Sequence, residues 1–166
     1  MIETDRLKLI PLDERQLEIW SRDIRSLELE LDCTYCAEPM EGAFSVIVKE
    51  QLERMKRDFD NYLWHTFWLL KDKASGIIVG AAGFKGTPNS DGEVEIGYAS
   101  GENFRKKGYI TEAVGKMCEW ALRQPGVQAV VAETDTWNGD SHGVLKRCGF
   151  EKYKSGETDW WRLKAK

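Results

Sequence analysis

Histidine, proline and cysteine are scarce in this chain of 166 residues, which holds two, four and four of them. His65, His142 and one close cysteine pair, Cys33-Thr34-Tyr35-Cys36, are too few for a zinc framework. No second pair follows and no histidine stands near the first. The pair is expected in a turn between helices, with no metal bound. Cys118 and Cys148 fall on apolar faces of expected helices and read as small packed hydrophobes. A long hydrophobic run is also missing. The longest nearly apolar stretch, Ile77–Phe84, is broken by Gly80 and Gly83, whereas a spanning helix takes roughly 20 apolar residues. No membrane partner is expected. Basic residues are not in excess: the net charge is −4, which argues against nucleic acid as a partner. Met1-Ile2-Glu3-Thr4-Asp5 lacks the basic opening of a signal peptide, so the expected location is cytoplasmic.

What is present is apolar bulk. Seven Trp, six Phe and five Tyr are too much aromatic surface to leave in water, which excludes disorder. The length suits one domain spanning 1–166. Acids outnumber bases up to Tyr62 and bases outnumber acids beyond it. An acidic first part favours a cationic substrate such as an amine; an ordinary solvated helix surface gives the same count.

Arg6-Leu-Lys-Leu-Ile10 alternates and reads as a strand ended by Pro11. Asp13, with Gln16 three residues on, opens a helix whose apolar residues recur to Leu31. A loop is expected from Asp32 to Gly42, and a second helix from about Phe44 to Asn61. Three strands follow, Trp64 to Asp72, Ile77 to Phe84 and Glu93 to Ala99, joined by short polar turns and hence antiparallel. Ile110 to Arg123 is a helix with Ile110, Val114, Met117 and Ala121 on its core side. Gln128 to Glu133 is a strand, and Gly139 to Cys148 a helix closed by Gly149. Phe150 to Lys154 and Trp160 to Lys164 form a final strand pair. The fold class is α+β, a mixed and mostly antiparallel sheet flanked by helices, with one parallel crossover between Glu93 and Glu133.

The chemistry is concentrated where the strand at Glu93 runs through Arg105-Lys106-Lys107-Gly108-Tyr109-Ile110 into a helix. Free N–H groups at a helix start, added positive charge and a glycine permitting close approach make a site for a diphosphate. A basic surface loop before a helix has the same composition. No Walker loop and no G-x-G-x-x-G fingerprint is present, so the usual nucleotide classes are disfavoured.

Arg105-x-x-Gly108, preceded by Glu95-Ile-Gly-Tyr98, resembles the acyl-CoA loop of the GNAT N-acetyltransferases. Asn138-x-x-Ser141-x-x-Val144-Leu145-Lys146-Arg147-Cys148-Gly149-Phe150 is similar to that family's closing helix and strand. Thr4-Asp5-Arg6-Leu7 resembles the opening of the branch that includes ribosomal-protein N-terminal acetyltransferases. The resemblance covers nearly the whole chain. It implies a GNAT-like acyl-CoA N-acyltransferase fold with a V-shaped split, and acetyl-CoA as cosubstrate. The backbone of Gly97, Tyr98 and Ala99 would hold the pantetheine arm. The amides of Arg105, Lys106, Lys107, Gly108, Tyr109 and Ile110 would hold the diphosphate, and Asn138 would touch the cofactor. Where the family has Gly or Ala, this chain has Ile110, whose side chain must turn into the core.

Glu93 and Glu95 share a strand face. The resemblance places a base-like glutamate at Glu95, with Glu93 as understudy; solvated carboxylates are the plainer reading of both. Many relatives carry a tyrosine acid where Leu145 stands. Ser141 is the candidate acid here, or only a helix-start residue. His142 adjoins Ser141, but neighbouring helix residues face different ways, so it reads as a surface histidine. His65 reads as core or pocket wall. Trp137, Trp160 and Trp161 border the pocket or pack the core. The expected activity is direct acetyl transfer in a ternary complex to a primary amine, either a protein N-terminus or a small molecule. A non-catalytic acyl-CoA-binding or sensing module is the alternative. The helices at 13–31 and 44–61 are expected to border the acceptor cleft, and the protein to be a monomer or a homodimer.

Overall fold

The structure, a computed structural model, describes residues 2–166. Its elements in chain order are β1 (Ile2–Glu3), β2 (Leu7–Pro11), α1 (Glu14–Arg22), α2 (Ile24–Leu31), β3 (Thr34–Tyr35), α3 (Gly42–Arg57), α4 (Tyr62–His65), β4 (Phe67–Asp72) and β5 (Ile77–Phe84). They continue with β6 (Glu93–Ser100), α5 (Tyr109–Leu122), β7 (Ala129–Asp135), α6 (Gly139–Arg147), β8 (Glu151–Ser155) and β9 (Thr158–Lys164). The fold is α+β, and no helix is long and apolar enough to cross a membrane.

Asp13 caps α1 through the full capping box, with Gln16 N–H donating to its carboxylate and the Gln16 side chain accepting from its N–H. The single helix expected over 13–31 is broken at Asp23. Its N–H closes α1 on the Ile19 carbonyl while its carboxylate caps α2 at Ser26. An internal capping residue divides a hydrophobic stripe that periodicity alone reads as continuous. The strand expected from Trp64 begins only at Phe67, because Trp64 and His65 finish α4. The loop expected at 32–42 contains β3, which pairs in parallel with the start of β5 through Thr34–Ile77 and Tyr35–Ile78. Two-residue strands such as β1 and β3 carry no periodic signal and exist by virtue of their partners.

The sheet runs β1-β2-β4-β5-β6-β7-β9-β8, with β3 beside β5. Pairing along this path is antiparallel except between β6 and β7, the expected crossover. One face packs α5 and α6 onto Val79, Val94, Ile96, Val130 and Ala132. The other packs α1, α2 and α3 onto Leu69, Ile78 and Ala81 around Trp20, whose ring meets Phe67 at 5.3 Å. Trp64, Trp68, Phe84 and Trp120 interlock on the first face, the Trp64 and Trp120 centroids lying 4.9 Å apart. Small residues in β5 let its neighbours approach. A Cβ on Gly80 would lie 2.7 Å from the Ala99 carbonyl oxygen and 3.2 Å from Ile110 Cδ1. Ile110 therefore turns inward, as expected.

Candidate active site

β6 and β7 pair only from Glu93–Ala129 to Glu95–Val131. Beyond that point β6 follows β5 as far as Ser100, and β7 follows β9 as far as Asp135, so the two strands part. Lys85 N–H donates to the Glu95 carbonyl and Gly101 N–H to the Val79 carbonyl. Antiparallel alternation then commits the main-chain groups of Gly97 and Ala99 to β5. The N–H and C=O of Tyr98, between them, face the gap. Three consecutive residues cannot all present main-chain groups to one side of a strand, so Tyr98 alone of the three does so.

The Tyr98 side chain crosses to α6, where its hydroxyl lies 2.6 Å from Ser141 Oγ. Burial pushes the Tyr98 phenol up to about 12, against the opposing effect of the Ser141 hydrogen bond. Asn138 caps α6: its Oδ1 accepts from Ser141 N–H at 3.2 Å. The amide nitrogen of Asn138 donates to no protein group among the described residues. The Leu145 side chain is fully buried.

After Ser100 a short 3-10 turn, Glu102–Phe104, leads into the basic loop. Arg105, Lys106, Lys107 and Gly108 are exposed, while Tyr109 and Ile110 are half-buried. Lys106 and Gly108 take left-handed φ of 62° and 83°. Gly108 is the N-cap of α5 and offers no side-chain cap. Among the described residues, no main-chain N–H from Arg105 to Ile110 donates a hydrogen bond to the protein. Left-handed turns that aim successive N–H groups outward make an anion-binding concavity, and the dipole of α5 reinforces it. The donor set fits a diphosphate, and the gap lined by Tyr98 fits an extended amide-bearing arm.

On the face opposite α5 and α6 lies a cleft of about 520 Å³ lined by Lys85, Glu93, Glu95, Tyr153, Lys154 and Trp160, among others. Glu93 and Glu95 enter it side by side, as their spacing requires. Glu93 is bound by Arg162, whose Nε and Nη2 stand 2.9 and 2.6 Å from Oε1. Glu95 Oε1 is a buried oxygen 2.6 Å from Lys85 Nζ, an ion pair whose angles lie outside hydrogen-bond geometry. Glu95 thus retains an acceptor with no directed donor. The helices at 13–31 and 44–61, expected to border an acceptor cleft, do not line this one. α3 reaches only its rim, where Gln51 and Arg54 donate to the Phe84 and Lys85 carbonyls. The β5–β6 connection and β8–β9 form the walls.

The remaining candidates separate. Trp160 lines the cleft, Trp161 is core, and Trp137 stands 79% exposed beside Asn138. His142 lies half-buried against the Trp161 ring, 5.2 Å between centroids, with Nε2 at 3.1 Å from the Asp135 carbonyl oxygen; it is not the surface histidine expected. His65 is buried, its Nε2 2.9 Å from Asp58 Oδ2. All four cysteines are free, and the described residues hold no cluster of three His, Cys, Asp or Glu suited to a metal. Sequence reasoning missed Lys85, Arg6 and Glu112. Arg6 lies within a quoted motif, but nothing in its spacing from Gly108 indicates that the two meet.

The acetyltransferase (GNAT) domain family matches residues 9–151. The uncharacterized N-acetyltransferase YjdG of Bacillus subtilis (strain 168) is 32% identical over 167 aligned residues, covering 97% of this chain and 96% of that one. Among solved structures, the ribosomal L7/L12 alpha-N-protein acetyltransferase RimL in complex with coenzyme A superposes with a TM-score of 0.65 at 16% identity, over 97% of this chain and 95% of that one. A chimera of the spermidine N-acetyltransferase SpeG from Vibrio cholerae and hSSAT superposes with a TM-score of 0.66 at 13% identity, over 97% and 96%. At these identities the two solved structures share the fold.

Proposed function

This chain belongs to the GNAT acetyltransferase family and is an acetyltransferase enzyme, and on that premise we propose that it carries acetyl from acetyl-CoA to a primary amine by direct transfer in a ternary complex. The observation that carries the reading is the run of undonated amides from Arg105 to Ile110, in the loop that follows the diverging end of β6. Acetyl-CoA, when bound, supplies a thioester-activated acetyl group. The amides of Arg105, Lys106, Lys107, Gly108, Tyr109 and Ile110 hold its diphosphate, and the three basic side chains add charge. The Tyr98 main chain holds the arm as a neighbouring strand would, and Asn138 donates its free amide N–H groups to it.

Glu95 takes the proton from the acceptor ammonium, directly or through one water, because its buried Oε1 lacks a directed donor. The amine nitrogen bonds to the acetyl carbon as the carbon–sulfur bond breaks. Ser141 Oγ supplies the proton to the departing sulfur as the Tyr98 hydroxyl beside it passes one to Ser141. The second proton of the amine nitrogen, shed as the amide forms, leaves to solvent, and solvent returns one to Tyr98. A covalent acyl-enzyme lacks a suitable thiol. Burial pushes the Cys118 and Cys148 thiols up, away from the thiolate form. The acceptor enters by the cleft on the Glu95 face, and both protein N-termini and small amines fit the reading. The RimL and SpeG proteins it resembles in fold are named for a protein and a polyamine acceptor respectively.

Calorimetric titration with acetyl-CoA, followed by a radiolabelled-acetyl screen of peptide and small-amine panels, tests this. Saturable binding with transfer to at least one amine is expected. Absence of binding overturns the reading. Binding without transfer to any amine favours an acyl-CoA-binding or sensing module.

A further inference from the structure

Arg6 precedes β2, on the turn that Thr4 closes by accepting from Leu7 N–H. More than a hundred residues later in sequence, it meets the start of α5. Its main-chain N–H donates to Glu112 Oε1 at 2.9 Å and its Nε to Oε2 at 2.8 Å. Thr4 Oγ1 donates to the same carboxylate. Arg6 Nη1 donates to the Lys107 carbonyl at 3.0 Å, and the guanidinium lies 4.3 Å from the Tyr109 ring centroid. Nη2 stands 3.2 Å from where a Cβ on Gly108 would be. One side chain therefore touches Lys107, Gly108, Tyr109 and Glu112, the whole passage from basic loop to helix.

We propose that Arg6 is a positioning residue for the phosphate-binding turn, holding its amides outward and cancelling the Glu112 carboxylate beside the anion. The role rests on the acetyl-CoA reading above. A peptide unit is planar and trans, so its C=O and N–H point opposite ways. Fixing the Lys107 carbonyl on Arg6 directs the Gly108 N–H to the other side, away from the guanidinium. Glu112 in the first turn of α5 is an unfavourable neighbour for a diphosphate unless its charge is answered. Burial by itself would raise the Glu112 pKa, but the hydrogen bonds from Thr4 and Arg6 outweigh it and hold the group below the usual range, ionised and engaged. Left-handed φ at Lys106, a residue with a side chain, makes this turn costly to hold without an external tie, whereas Gly108 takes its left-handed φ freely.

Coenzyme A and pantetheine, which lacks the diphosphate, separate this role from general bracing. Affinities for coenzyme A are read by calorimetry and those for pantetheine by amide chemical-shift titration at millimolar concentration, in the wild type, Arg6→Ala and Arg6→Lys. Arg6→Ala is expected to weaken coenzyme A about tenfold, the scale of losing charged hydrogen bonds, with pantetheine affinity unchanged. Arg6→Lys keeps the charge without the fork and falls between. It also serves if Arg6→Ala does not fold. Equal losses for both ligands, or coenzyme A affinity within about twofold of wild type in both variants, overturn the role alone. A wild type that binds neither ligand overturns the cofactor reading together with it.

Discussion

In the proposed mechanism, Glu95 and Lys85 form the pair on which the chemistry turns. Lys85 Nζ lies 2.6 Å from Glu95 Oε1 on a side chain that is half exposed, and in that mechanism an arriving ammonium replaces it on the same oxygen. Glu93, held by two Arg162 nitrogens, has no comparable freedom. Removing a positioned base costs about 10²- to 10⁴-fold in rate. Glu95→Gln is accordingly expected to lower kcat by at least about 10²-fold while leaving acetyl-CoA affinity within about twofold, as measured by turnover of an amine from the screen beside calorimetry. A matching loss in Glu93→Gln with Glu95→Gln unaffected would transfer the role to Glu93.

Among the elements, the end of β6 is the least tolerant of change. Gly101 lies buried against β3, and a Cβ there would overlap the Cys36 carbonyl oxygen, which is backbone and cannot swing aside. Its φ of −58° suits any residue, so the obstacle is contact and not backbone strain. Gly101→Ala is expected to destabilise the protein by about 1–3 kcal/mol, as overpacking does. Urea unfolding should show a lower midpoint with an unchanged slope. This contact also explains why the Cys33–Cys36 segment lies as a strand beside β5 and not as a free turn. Cys36 N–H donates to the Ile78 carbonyl, one residue before the Val79 carbonyl that accepts from Gly101.

At the scale of the whole molecule, buried phenols and thiols couple stability to alkaline pH. Burial raises both Tyr35 and Tyr98, the latter to about 12, whereas an unfolded tyrosine ionises near about 10. Between those values the unfolded chain has released protons that the native chain retains. The phenols' share of stability is thus fully present below about pH 10 and declines as pH rises towards about 12. Denaturant unfolding across that window should show this decline, and Tyr98→Phe should make it shallower. An identical slope in the variant would show that Tyr98 is not held protonated by the fold.

What the residues determined unaided is what acts over short distances. The capping box at Asp13 and Gln16, the alternation of β2, the glycine closing α6 and the basic turn before α5 are local signals, and each element formed where its signal lies. The inward turn of Ile110 followed from steric need. Tertiary structure decided whatever depends on partners distant in the chain. Strands of two residues exist only because β2 and β5 offer them hydrogen bonds. Which groups of β6 face the gap depended on the pairing phase with β5, which sequence spacing leaves open. The cleft took its walls from the β5–β6 connection, β8 and β9 and not from the N-terminal helices, because which segments meet around a cavity is set by packing and not by periodicity. The meeting of Arg6 with Lys107 and Glu112 required the first turn and the fifth helix to fold onto neighbouring edges, and no local pattern encodes that distance.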